Sequence, residues 1–113
     1  MRMILAYVPP HRLDRVTRAL RHVAHLPGLT VTDARGFGRE KVEAPDESPA
    51  EELMDFTPMS RLEVVAHDEQ VDEIVNAIVE SSYTGNRGDG KIFVLPVERA
   101  FRIKTKQSGS AAV

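Results

Sequence analysis

Hydrophobic residues in the first third of the chain follow two different periods. Residues 3–8 form a short apolar run that a pair of prolines ends, which predicts a buried strand followed by a turn. Over residues 12–25, apolar positions recur every three or four residues and arginines take the opposite face, which predicts an amphipathic helix. The proline and glycine at positions 27 and 28 oppose further helix, and β-branched residues alternate over 29–35. This stretch therefore predicts a strand, a helix and a second strand.

The same order of elements returns in the second half of the chain. Residues 61–67 predict a strand, and Asp68 is placed to cap a helix whose apolar positions between Val71 and Val79 recur at helical spacing. Further strands are predicted over residues 92–97 and 100–104. Two strand-helix-strand units favour the ferredoxin-like βαββαβ arrangement, an α+β fold with an antiparallel sheet and both helices on one face. The bare face of such a sheet needs a cover, which a homo-oligomer would supply.

A long segment without helical or strand period, residues 36–60, separates the two units. It contains three prolines and an excess of acidic residues. A loop of this length inside a small domain is uncommon unless it is functional or disordered, so it is the first place to look for a partner surface. The alternative interpretation is an insertion without function. Met54 and Met59 would be apolar contacts for a partner, soft metal ligands, or simple anchors of the loop.

Composition narrows the class of protein. The chain has 113 residues and a mass of 12.6 kDa, which predicts a single domain over residues 1–113. Its net charge of -2 and pI near 6.1 disfavour a protein that binds nucleic acid without specificity. The absence of cysteine excludes disulfides and thiol chemistry. No apolar run approaches the roughly 18 residues that cross a bilayer, and no leader peptide is recognisable, so we expect a cytoplasmic protein.

Three basic, glycine-rich segments carry the candidate chemistry. The segment Thr84–Lys91, TGNRGDGK, has three glycines that let backbone amides approach an anion beside the charge of its lysine. It lacks the hydroxyl residue of a Walker A loop, and a plain hairpin turn is the alternative. A second glycine pair stands between two arginines at residues 35–39, and Arg102 and Lys104 would share one face of the last strand. Together the three segments favour a polyphosphate ligand.

Other candidates are weaker. His22 and His25 stand three residues apart on the predicted helix, which would let them share a metal ion, but scattered surface histidines are the favoured interpretation. No Ser-His-Asp order, paired catalytic carboxylates or complete phosphoryl-transfer set is recognisable. Enzyme activity and a resident metal site are therefore not predicted.

Several of these segments together resemble the PII signal-transduction family over nearly the whole chain. The resemblance rests on Thr30–Thr32 leading into residues 35–39, on Asp55, Phe56 and Pro58, on TGNRGDGKIFV from Thr84, and on Arg102–Thr105. It implies a ferredoxin-like subunit in a homotrimer that binds adenine nucleotides in the clefts between subunits. Residues 36–60 would be the mobile T-loop that docks on target proteins, residues 84–91 the B-loop, and residues 105–113 a flexible C-terminal tail.

The same resemblance implies which residues form the nucleotide cleft and which meet a partner. The cleft residues are Tyr7, Thr30, Gly36, Phe37, Gly38, Arg39, Glu63, Val65, Thr84, Gly88, Asp89, Gly90, Lys91, Arg102 and Lys104. The segment from Gly88 to Lys91 would hold the phosphates, and Arg102 and Lys104 would reach in from the neighbouring subunit. The partner-binding residues of the T-loop are Glu43, Asp46, Glu47, Glu51, Glu52 and Met54.

Three departures from the family pattern fall in the T-loop. Glu52 stands where the family has its uridylylated tyrosine, so nucleotidylylation there is excluded. Glu40 replaces a glutamine that ligates magnesium, and Met59 replaces the lysine that pairs with 2-oxoglutarate. The dicarboxylate would lose its charge partner and meet an added carboxylate, so we expect little or no response to 2-oxoglutarate.

The resulting expectation is a non-enzymatic regulator that does not bind nucleic acid. ATP, ADP or AMP would be its effector, with a role for magnesium left open, and the acidic T-loop would control a membrane transport protein linked to heavy-metal efflux or bicarbonate uptake. The protein would lie at the membrane only when it is bound to that target. One alternative is a nitrogen-regulatory PII protein that controls ammonium transport and glutamine synthetase. Others are a weak nucleotide hydrolase in which Glu40 positions water or magnesium and, last, a trimeric metal-binding relative of similar fold.

Overall fold

The computed structural model describes residues 1–38 and 56–113. Its main elements are β1 (Arg2–Val8), α1 (Leu13–Arg21), β2 (Thr30–Gly36), β3 (Thr57–Ala66), α2 (Val71–Ser82) and β4 (Lys91–Pro96). Short 3-10 turns precede the two helices at Pro10–Arg12 and Asp68–Gln70, and a third lies at Gly109–Ala112. The four strands form one sheet in the order β2-β3-β1-β4, and each neighbouring pair is antiparallel. This is the predicted ferredoxin-like α+β arrangement, which is confirmed.

The core follows directly from the two hydrophobic periods of the sequence. In β1 and β3 every second residue is buried, because successive side chains of a strand point to opposite faces of the sheet. The helices contribute apolar residues three and four positions apart, which lie on the side that faces the sheet. The buried apolar residues are Ile4, Ala6, Val8, Val16, Leu20, Val23, Leu62, Val64, Ala66, Ile74 and Ile78. One continuous cluster of these residues therefore joins both helices to one face of the sheet.

The other face of the sheet stays largely accessible and contains several apolar side chains. The odd-numbered residues of β1 are only partly buried, in contrast to their even-numbered neighbours. On the edge strand β4, Phe93 is 49% exposed and Leu95 is 37% exposed. The helices cover one face of this sheet, and apolar residues on the other face remain exposed. Such a face is suited to association with another protein surface.

The first helix is shorter than the sequence pattern predicts. It begins after a 3-10 turn and ends at Arg21, where the backbone N–H groups of His22 and Val23 bond the carbonyls three residues before them. His25 then adopts a positive φ of 55°. His22 and His25 therefore lie beyond the α-helix, and the helical spacing that would have let them share a metal ion does not apply.

The long segment between β2 and β3 is also shorter than predicted, because β3 begins at Thr57 and not at residue 61. Pro58 was placed in the loop since proline cannot donate to a strand ladder. In the structure Pro58 pairs only with Arg35 of β2, and β1 begins to pair with β3 at Ser60. Its missing N–H therefore falls where β3 has a neighbour on one side alone.

The predicted strand over residues 100–104 is wrong. The N–H of Lys106 bonds the carbonyl of Arg102 at 2.8 Å, and the N–H of Arg102 bonds the carbonyl of Gln107 at 2.9 Å. These bonds fold the segment into a turn, which an isolated bridge between Phe101 and Ser108 closes. Arg102 and Lys104 therefore lie on an exposed turn and do not share the face of a strand. Flexibility of residues 105–113 stays a prediction.

Asp68 does not cap the second helix as its position in the sequence predicts. Its carboxylate accepts a hydrogen bond from the terminal ammonium of Met1 at 2.9 Å, and that ammonium holds the pKa of Asp68 below its ordinary value. The helix is entered through a 3-10 turn instead, in which the side chain of Gln70 accepts the N–H of His67 and donates to the carbonyl of His25. The amide of Gln70 thus joins the start of α2 to the end of α1.

Candidate functional site

The carboxylate of Asp89 organises the turn between α2 and β4. One oxygen accepts the backbone N–H groups of Thr84 at 2.8 Å and of Gly85 at 2.9 Å, and the other accepts the hydroxyl of Thr84. The same hydroxyl accepts the N–H of Asn86, and the hydroxyl of Ser82 donates to the carbonyl of Asp89. One side chain thereby closes residues 84–89 into a loop.

Hydrogen bonding keeps Asp89 charged. The hydroxyl and the backbone N–H of Thr84, then the N–H of Gly85, hold the pKa of the Asp89 carboxyl below its ordinary value of 3.8, and the nearby Arg12 adds a smaller effect. A carboxylate that is ionised and turned into the loop is unsuited to touching a phosphate directly. The structure therefore gives Asp89 the role of orienting the loop, which the sequence analysis did not anticipate.

Two glycines fix the end of the loop and the beginning of β4. Gly88 and Gly90 have φ values of 81° and 109°, which residues with a Cβ rarely adopt. A Cβ on Gly90 would stand 1.9 Å from the carbonyl oxygen of Tyr7, whereas a Cβ on Gly88 would have no atom within 4 Å. Gly90 is thus required for the close approach of two backbones, whereas the space beside Gly88 is open.

Strand register brings several of the predicted cleft residues to one face. Lys91 lies opposite Tyr7 on the neighbouring strand, and Thr30 lies opposite Glu63. Val65 lies two residues beyond Glu63 on the same strand and therefore on the same face. This is the face that the helices leave uncovered, so the loop and a row of polar side chains adjoin an open surface.

Arg61 lies in the middle of this row and was not among the predicted site residues. Its Nη2 is 2.9 Å from Oε1 of Glu63, and its guanidinium carbon is 6.0 Å from the centre of the Tyr7 ring. The signal that would have found it is simple, because Arg61 stands two residues before Glu63 in a strand and must share its face.

The two ends of the long segment meet at an aromatic pair. Phe37 and Phe56 stack edge to face with their ring centres 5.3 Å apart, just beyond the last strand pair between Gly36 and Thr57. Gly38 is the last residue described before the gap. The remaining predicted site residues in this segment lie outside the described residues: Arg39, Glu40, Glu43, Asp46, Glu47, Glu51, Glu52 and Met54.

The basic pair near the C-terminus does not join the loop within one chain. Across the residues that the structure describes, neither Arg102 nor Lys104 takes part in an ion pair with a carboxylate. Ile103, which lies between them, is 94% exposed, and Phe101, which precedes them, is 61% exposed. The turn therefore presents two cations and two apolar side chains to whatever lies beside it.

The described ranges contain neither a cluster of metal ligands nor a membrane-spanning helix. Within residues 1–38 and 56–113, no three histidine, aspartate or glutamate side chains are grouped so that they could hold a metal ion. In the same ranges no helix combines the length and the apolar character needed to cross a lipid bilayer.

The fold and the loop together define a class: a ferredoxin-like α+β protein with a glycine-rich turn beside an open sheet face. Residues 1–107 match the family model described as "Nitrogen regulatory protein P-II", and the chain belongs to this family of regulatory signal-transduction proteins. It is 44% identical over 113 residues to "Nitrogen regulatory protein P-II" of Pasteurella multocida (strain Pm70), with both chains fully covered. It is 42% identical to "Nitrogen regulatory protein P-II 1" of Escherichia coli (strain K12), again over both full lengths.

A solved structure supports the same family. The crystal structure of Arabidopsis thaliana PII bound to citrate superposes with a TM-score of 0.78 at 34% identity, and the match covers 98% of this chain and 87% of that one. The resemblance inferred from the sequence segments is therefore confirmed.

Proposed function

We propose that this protein binds an adenine nucleotide, ATP, ADP or AMP, with its phosphates at residues 88–91. The observation that carries the proposal is the glycine-rich loop closed by Asp89, whose residues 85–88 and Gly90 are exposed immediately before Lys91. Backbone N–H groups in such turns bind anions, and an adjacent lysine adds a charge that favours phosphate. The row containing Tyr7 and Glu63 would receive the base and the ribose.

The complete site would form between copies in a homotrimer. The bare sheet face with Phe93 and Leu95 favours association, as does the exposed turn at residues 101–104. Across the described residues no ion pair joins Arg102 or Lys104 to the loop of their own chain, so they are available to complete the loop of a neighbour. A closed ring of three copies would satisfy this head-to-tail relation at every site.

The nucleotide would report to a target through the acidic segment between β2 and β3. The ends of this segment leave the sheet beside Phe37 and Phe56. Phe37 is one of the cleft residues that the family resemblance implies, so a ligand there would favour one arrangement of the segment over others. We assign the protein a non-enzymatic regulatory role in the cytoplasm, with a membrane transport protein as its target. It would lie at the membrane only through that target.

Calorimetric titration with ATP, ADP and AMP, each with and without magnesium, tests the nucleotide site. We expect the wild type to bind at least one of them and Lys91→Gln to weaken binding about tenfold or more, because a charge-assisted contact to phosphate is lost. Arg18→Gln is the matched control, since it also removes one positive charge and Arg18 lies on the exposed face of α1. A wild type that binds none of the three nucleotides, or equal affinities for both variants, would contradict the proposal.

Charge reversal tests the docking role of the acidic segment. We expect Glu51→Lys with Glu52→Lys to abolish capture of the membrane target in a pull-down from solubilised membranes, because like charges would meet where opposite charges met. Asp72→Lys with Glu73→Lys, on the exposed face of α2, makes the same change of charge elsewhere and should leave capture intact. Equal capture by all three proteins would argue against this segment as the docking element.

Control of nitrogen metabolism is the second candidate, because the family model and the curated relatives carry the description of nitrogen regulatory proteins. It predicts that 2-oxoglutarate tightens ATP binding, as a joint titration would show. Met59 argues against it, since this side chain lies against Gly36 at the start of the segment and offers no charge to a dicarboxylate. Citrate belongs in the same titration, because it is the ligand of the Arabidopsis structure.

A further inference from the structure

Arg61 connects the polar side chains of the open sheet face. It lies opposite Tyr7 on one neighbouring strand and Thr32 on the other, so it occupies the middle of the row. Its guanidinium bonds Oε1 of Glu63 at 2.9 Å and extends toward the ring of Tyr7. Both residues of the ion pair are about one-third exposed, at 38% for Arg61 and 32% for Glu63.

Stability does not explain this arrangement. Ion pairs that are partly exposed contribute little to folding. Arg61 also bears a cost, because its Nε is shielded from solvent and has no acceptor among residues 1–38 and 56–113. A side chain held in one place at such a cost, beside a candidate cleft, is better explained by what it positions.

We propose that Arg61 is a positioning residue for recognition of the nucleoside, and this inference rests on the proposed nucleotide site. By bonding Oε1 of Glu63, Arg61 turns the carboxylate so that Oε2 is left to accept a hydrogen bond from a donor on the ligand. The donor is either the exocyclic amine of the base or a ribose hydroxyl. When the ligand covers the pair, the guanidinium compensates a carboxylate that would otherwise lose its water without a partner.

The test compares ligands that differ in a single donor. Full-length wild type and Arg61→Gln are titrated with ATP, with purine riboside triphosphate, which lacks the amine, and with the 2′-deoxy and 3′-deoxy forms of ATP. We expect Arg61→Gln to weaken ATP binding about tenfold while it weakens the analogue lacking the recognised donor by clearly less. The analogue that is spared identifies the donor as the amine or as a particular hydroxyl.

Two further variants separate positioning from a general effect. Arg61→Lys keeps a cation beside Glu63 and should restore most of the preference for ATP over the spared analogue. Arg18→Gln removes an arginine from the exposed face of α1 and should bind every ligand like the wild type. Thermal unfolding of each variant checks that the fold is intact.

The possible failures can be told apart. If the wild type binds ATP and Arg61→Gln weakens all four ligands equally, or none of them, Arg61 does not position Glu63 for a ligand donor and the inference is wrong. If Arg61→Gln does not fold, the same comparison with Arg61→Met decides, because methionine removes the charge and keeps an apolar stem. Loss of the preference for ATP over one analogue supports the inference, and an unchanged preference overturns it. A wild type that binds no nucleotide overturns the proposed function and this inference together.

Discussion

Gly90→Ala should destabilise the protein by roughly 3 kcal/mol or more, a large fraction of the stability of a domain of this size. The added Cβ would stand 1.9 Å from the carbonyl oxygen of Tyr7 and 3.0 Å from its carbonyl carbon. Both are backbone atoms of a central strand, so the clash is relieved only if β4 moves away from β1. The φ of 109° adds strain of its own. Denaturation by urea, followed by circular dichroism, measures the loss.

Gly88→Ala is the matched control for this prediction. Gly88 also has a positive φ, of 81°, but its Cβ would meet no atom within 4 Å. Its cost should be limited to the left-handed backbone, about 1–2 kcal/mol. Equal losses for the two variants would mean that the Cβ at residue 90 is accommodated without a clash, and that the close approach to Tyr7 does not require a glycine.

The elements with an unbroken period were predicted well. The strand predicted over residues 61–67 overlaps β3 as far as Ala66, and within it the alternating residues Leu62, Val64 and Ala66 are buried. The errors lie where a rule for a single residue or segment was applied without regard to the strands beside it. Pro58 would interrupt the hydrogen bonds of β3 only if strands lay on both sides of it, and here only β2 does. The segment at residues 100–104 alternates as a strand does, yet its backbone bonds to itself as a turn.

The candidate site was likewise predicted in part. Residue type and spacing singled out the glycine-rich turn, whereas Tyr7, Thr30 and Glu63 were predicted only from the family resemblance. The role of Asp89 could not be found this way, because an aspartate in a polar turn gives no sign that its oxygens will be occupied by the amides of Thr84 and Gly85. Arg61 was within reach of the period-two rule and was overlooked because no chemical motif contains it.

Asp89→Asn should weaken nucleotide binding while leaving the fold in place. The carboxylate offers only acceptors to the two N–H groups and the hydroxyl that it now bonds, whereas an amide would turn an N–H donor toward at least one of them. The loop would then lose a bond that holds residues 84–89 in place before the proposed phosphate site, and we expect ATP binding to weaken about tenfold or more. Calorimetry with ATP, beside circular dichroism of the same sample, measures both effects.

Asp68→Asn is the control that separates the effect of Asp89 on nucleotide binding from its effect on stability in acid. Asp68 and Asp89 both have a pKa lowered in the folded protein, Asp68 by the ammonium of Met1 and Asp89 by the hydroxyl of Thr84. Each therefore contributes stability that is complete above the ordinary pKa of 3.8 and is lost as pH falls through the lower folded value. Either substitution should flatten the fall in stability below about pH 4. Only Asp89→Asn should weaken ATP binding at neutral pH, because Asp68 bonds the chain terminus and not the loop, and equal affinities for the two variants would show that the Asp89 bonds do not shape the nucleotide site.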